Sequence, residues 1–172
     1  EAVRMTKYKA FKWLGQHKCF GTEIPPAVLI LVALFILAYF FLKYTKMGRD
    51  LYIIGGNIEA AKNTGIRIAR GQVFVFTVSG FMAALAGLMM ISRVDSAQPT
   101  LGDGYELDAI AAVALGGTSM SGGRGKITGT IAGVLIIAVL NNGLNILGVT
   151  SYYQDVIKAI VILVAVLSDR KR

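Results

Sequence analysis

The chain has 172 residues, 55% of them hydrophobic and only 16% charged, and its mean hydropathy of +0.61 is outside the range of soluble domains. Lys and Arg outnumber Asp and Glu by 18 to 10, a net charge of +8 that falls in short loops between apolar segments. That distribution excludes nucleic acid and fits membrane topology, while a single Cys19 and a single His17 exclude an internal disulfide, a metal cluster and cofactor chemistry built on them.

The first 25 residues read as an extracytoplasmic tail or an artefact of the chain's start; with Glu1 in place of Met, the sequence reads as a piece of a longer protein. From residue 26 the pattern is that of an all-α polytopic membrane protein. A bilayer core of ~30 Å takes about 20 apolar residues in a helix, and 26–42, 72–91 and 127–147 approach that length. The first opens on Pro25 and Pro26 and closes on Tyr39, Phe40, Phe41, Lys43 and Tyr44, a proline start and an interfacial aromatic and basic end. A shorter stretch, 153–167, spans as well; Asp155 and Lys158 are i, i+3 and can pair on one face. Residues 107–115 are apolar but too short to cross before Gly116 and Gly117, the mark of a broken or re-entrant segment shielded by protein. The count is four to five crossings over 26–168, followed by a basic cytoplasmic tail at 169–172.

Orientation follows from the loops. With the C terminus inside and 107–121 crossing, the inner loops hold eleven Lys and Arg, against Arg93 alone in the outer loop, which also carries Asp95, Asp103 and Glu106. The tail dissents with five basic residues outside, but distal tails bias insertion less than short loops. Between the first two spans, 43–70 is too polar for lipid. Gly55 and Gly56 punctuate it, Asn57 caps a short helix, Glu59 complements its dipole and Gly65 stops it. A short rigid helix joined to two crossings suits a soluble partner that exerts force; a solvated surface helix facing lipid headgroups is the plainer alternative.

Other polar motifs need weighing. GGRGKIT suggests a phosphate loop, but Ile127 follows Lys126 and Met120 stands where the first glycine belongs. A tight turn held inside by Arg124 and Lys126 fits better. Asp103 lies in LGDG, where an intramembrane protease pattern wants glycine at Leu101. Glu106 and Asp108 read as caps of a helix beginning near Leu107. Asn141 and Asn145 share a helix face, with Asn142 about 100° round; they are either interhelical glue or donors and acceptors for passing hydroxyls. Gly80, Ala83, Ala84 and Gly87, and separately Gly129 and Gly133, have the spacing that lets helices approach closely.

Two long stretches carry a family resemblance. GRDLYIIGGNIEAAKNTGI resembles the cytoplasmic loop of ATP-binding-cassette importer permeases for sugars, with Glu59, Ala60, Ala61 and Gly65 in matching places. SAQPTLGDGYELDAIAAVALGGTSMSGGRGKITGT with LNNGLNILGVTSYYQDVIKAIVILVAVL resembles the C-terminal half of the ribose-type permease. The likeness runs from about Ile24 onward. It implies that Asn57, Glu59, Ala60, Ala61 and Gly65 form a coupling helix on a cytoplasmic ATP-binding subunit. It also implies a periplasmic sugar-binding protein, a homodimer of permeases and a place in the bacterial inner membrane. The chain itself would then be no enzyme. Asn141, Asn142, Asn145, Glu106 and Asp108 are the candidates for the translocation path. A passive channel or a structural membrane subunit without an ATPase is the competing reading.

Overall fold

The computed structural model describes Val3–Arg4 and residues 25–169. Cys19, His17, most of the N-terminal tail and the basic triplet at 170–172 lie outside the described residues. The elements are β1 (Val3–Arg4), α1 (Pro26–Tyr44), α2 (Lys46–Gly56), α3 (Ile58–Asn63), α4 (Ile68–Val94), β2 (Ser96–Ala97), α5 (Tyr105–Leu115), α6 (Ile127–Ile146) and α7 (Ser151–Asp169). Among the described residues the fold is all-α apart from a two-residue antiparallel ladder that pairs Val3 with Ala97 and Arg4 with Ser96.

Among the described residues, three helices are long and apolar enough to cross a bilayer: α1, α4 and α6. At 1.5 Å per residue they measure about 28, 40 and 30 Å. Their apolar side chains are largely exposed, Phe76 at 76% and Val139 at 72% among them. Helices apolar on all sides need lipid or other protein around them. α4 outruns the expected 72–91 at both ends because a helix need not stop at the hydrocarbon boundary; Arg70 and Arg93 sit where long side chains reach headgroups. α7 has 19 residues, the length of a crossing, with Asp155 and Lys158 in its first half.

The chain divides into two compact units. One holds most of α1 and α4 with the short ladder. The other runs over 41–68 and 104–172 and holds α2, α3, α5, α6 and α7. In this second unit α5 packs on α6 and α7, around Ala111, Ala112 and Ile137, with Leu115, Val161 and Ile162 at the margin. Gly116 lies against Gly129, and Gly133 against the Ala112 carbonyl. Positions falling along α5 meet positions rising along α6, so the two are antiparallel. A Cβ on Gly116 would come 2.7 Å from the Gly129 carbonyl carbon, and a Cβ on Gly133 would overlap the Ala112 oxygen. Absence of side chains is what lets these backbones meet. Gly80 and Gly87, read as the same kind of stripe, have open space beside them among the described residues.

α5 is the broken segment. Its 11 residues reach about 16 Å, half a crossing. It ends because Gly117, at φ +76°, takes the left-handed turn that folds Gly117 N–H onto Ala114 O at 3.0 Å and Thr118 N–H onto Val113 O at 3.2 Å. Gly65, also at φ +76°, closes α3 the same way through Lys62 O and Ala61 O.

Candidate functional site

Two groups of residues stand out in the second unit, at opposite ends of the α5–α6 pair. At the α5 N-terminal end, polar side chains from three helices converge. Asp108 Oδ1 lies 2.8 Å from Lys158 Nζ, and Asn141 Nδ2 donates to Asp108 Oδ2 at 2.8 Å. Lys158 is only 7% exposed. The expected pairing with Asp155 exists at 3.8 Å, but it is the longer contact, and Asp108 on another helix is the principal partner. Burial explains the arrangement: an ammonium leaves water only where a carboxylate and further hydrogen bonds replace its hydration. Asn141 Oδ1 is buried without a partner among the described residues, leaving one acceptor in the cluster unused.

This geometry revises the reading of the acids as helix caps. α5 begins at Tyr105 rather than Leu107, its N-cap is Gly104, and no side chain caps it. Asp108 is instead drawn across to α6 and α7, while Glu106 stays exposed in the first turn. The three asparagines also separate. Asn141 ties α6 to α5, Asn142 is exposed, and Asn145 Oδ1 accepts from Gln154 Nε2 at 2.9 Å. Gln154 donates as well to Val149 O at 2.8 Å, which holds the α6–α7 turn. The Asn145 contact ties the end of α6 to the start of α7.

At the other end are α2 and α3. Asn57 caps α3 as its residue type suggested, Oδ1 accepting from Ala60 N–H at 3.0 Å, with Glu59 in the first turn. Asn57, Glu59, Ala60 and Gly65 are exposed, whereas Ala61 is fully buried. Ala61 therefore seats the helix, and its neighbours supply the face a partner can reach. The spacing did not disclose α2, which runs through Gly55 and Gly56 rather than ending before them. Thr45 caps it, accepting from Gly48 N–H at 3.0 Å. Its glycines stay helical because they pack on another glycine pair: a Cβ on Gly55 would come 3.0 Å from Gly123 N, and one on Gly123 2.7 Å from Gly56 Cα. Tyr52 Oη donates to Gly125 O at 3.1 Å across the same contact. A strongly amphipathic 46–54 was the available signal, masked by two glycines that read as punctuation.

The family described as "Branched-chain amino acid transport system / permease component" matches residues 4–166. The match starts well upstream of Ile24, where the likeness read from the sequence began, and takes in most of the tail. The chain is 52% identical over 162 residues to the ribose import permease RbsC of Bacillus subtilis, covering 94% of this chain and 50% of that protein. It is 55% identical over 159 residues to the RbsC of Haemophilus influenzae, covering 92% and 49%. To the xylose transport system permease XylH of Escherichia coli it is 41% identical over 146 residues, covering 85% and 37%. The chain thus spans about half the length of these relatives. No solved structure matches it.

Proposed function

The chain belongs to the family of branched-chain amino acid transport system permease components, and on that premise we propose that it supplies part of the membrane path of an ATP-binding-cassette importer for a monosaccharide, ribose first among them. The observation that carries this is the likeness to ribose import permeases over nearly the whole chain. The family description names branched-chain amino acids, but the similar proteins are named for sugars, and identity is higher to those named for ribose than to that named for xylose. The second unit supports the same reading, since it presents a capped, exposed helix of the kind a soluble subunit can grip.

In this reading ATP is hydrolysed by a separate cytoplasmic subunit that docks on Asn57, Glu59, Ala60 and Gly65, with Ala61 anchoring that face. A periplasmic sugar-binding protein delivers the solute, two permeases pair, and the assembly works in the bacterial inner membrane. The excess of Lys and Arg in the 43–70 and 119–126 loops favours a cytoplasmic place for them. The 119–126 turn meets α2 through Tyr52 and Gly125, as two basic loops on one side must. Val3–Arg4 pairs with Ser96–Ala97, so that part of the tail and the loop after α4 share a side. The Asp108–Asn141–Lys158 cluster then lies toward the outer end, beside the path. Neutral amides there offer donors and acceptors to hydroxyls without trapping them, and Asn142, Asn145 and Glu106 provide exposed polar groups.

Deleting 59–61 from the protein that carries this chain, co-expressed with its ATP-binding subunit, tests the reading. Loss of the subunit on purification through the permease is expected. Its undiminished retention would favour a channel or structural role, in which a docking helix has no purpose.

A further inference from the structure

We propose that Tyr52, Gly55, Gly56, Gly122 and Gly123 form a positioning joint that carries movement of the α2–α3 docking segment directly into α5 and α6; this rests on the reading of α3 as the ATPase-docking helix. The covalent route from that segment leads to α1 and α4. A second route is built from contacts inside one compact unit.

The joint is made of backbone. A Cβ on Gly122 would overlap the Gly55 carbonyl oxygen, and the facing Gly123 and Gly56 are as close. Side chains that could change rotamer do not intervene, so displacement of α2 displaces the turn rather than being absorbed between them. Tyr52 fixes the register by its bond to Gly125 O at 3.1 Å. A cavity of about 390 Å³ lies alongside, lined by Leu42, Leu51 and Val113 with the turn itself.

From the turn the chain enters both helices of the pair. Four residues after Gly123 it starts α6 at Ile127, and six residues before Gly122 it leaves α5 at Gly116. Gly116 on Gly129 and Gly133 on Ala112 hold the two helices backbone to backbone. At the far end the Asp108 bonds to Asn141 and Lys158 join them again, with α7. A push on α2 is therefore delivered to a pair clamped at both ends, whose outer end carries the polar cluster.

Gly55→Ala and Tyr52→Phe test this in the assembled importer, with ATP-binding and sugar-binding subunits present. Gly55→Ala favours a helix by propensity while its Cβ, 3.0 Å from Gly123 N, wedges the joint; Tyr52→Phe removes the register bond with no added bulk. The readout is ATP hydrolysed per sugar taken up, which a purely structural role would leave alone. Both variants are expected to keep the ATP-binding subunit and its hydrolysis while that ratio rises about threefold or more. A coupled wild type with both ratios unchanged overturns the joint, and so does a proportional loss of subunit, hydrolysis and uptake, which would mean that the glycines only brace the docking segment. A wild type that moves no sugar on ATP overturns the functional reading first, and the joint with it.

Discussion

Lys158 shows how little of a buried ion pair is written locally. Its i, i+3 relation to Asp155 is visible in the sequence, yet the shorter contact is to Asp108, fifty residues earlier, at 2.8 Å. Asp108 looks like a helix-start acid until α5 is seen to begin at Tyr105 and to be capped by backbone at Gly104. Removing one partner strands the other without compensation, so Lys158→Met or Asp108→Asn is expected to cost about 3–5 kcal/mol. Asp108→Leu with Lys158→Met is expected to cost clearly less than the sum of the corresponding single changes. Unfolding of the purified protein in detergent, run as a double-mutant cycle, measures both. Asn141→Leu should destabilise as well, by about 1–3 kcal/mol, because its amide satisfies a carboxylate oxygen that would otherwise be orphaned.

Among elements, those with periodic or terminal signals were legible. The three long apolar helices, the half-length α5 and the α3 segment between Asn57 and Gly65 follow from apolar run length, from Asn as a cap and from Gly at a left-handed stop. α2 was not legible, because its glycines earn helical geometry from a contact 67 residues away in sequence rather than from propensity. The small-residue stripes were read alike and behave differently: Gly129 and Gly133 meet α5, while Gly80 and Gly87 face open space among the described residues. Which stripe is used depends on what packs there, and spacing carries no record of it. Gly133→Leu must push α6 away from Ala112, so a loss of at least about 1–3 kcal/mol is expected, read as a lower melting temperature in detergent. Asn57→Ala removes the side-chain N-cap of α3 and is expected to cost about 1 kcal/mol locally. Faster amide exchange over 58–63, with α6 unchanged, is the signature that checks it.

For the molecule as a whole, composition alone excludes a soluble domain, and the orientation we propose rests on the distribution of loop charge. Family membership rests on a match to residues 4–166, and the sugar reading rests on identities near one half to permeases twice as long. Transport mechanism is the least legible property, because a channel and a pump share apolar spans and differ in whether a docking helix does work. ATP-driven sugar accumulation measures that difference most directly. In liposomes holding the protein that carries this chain, with its ATP-binding and sugar-binding subunits, labelled ribose is expected to accumulate above its outside concentration only when ATP is supplied on the cytoplasmic face. Equilibration of ribose to equal concentrations, at the same rate with or without ATP, would contradict the account.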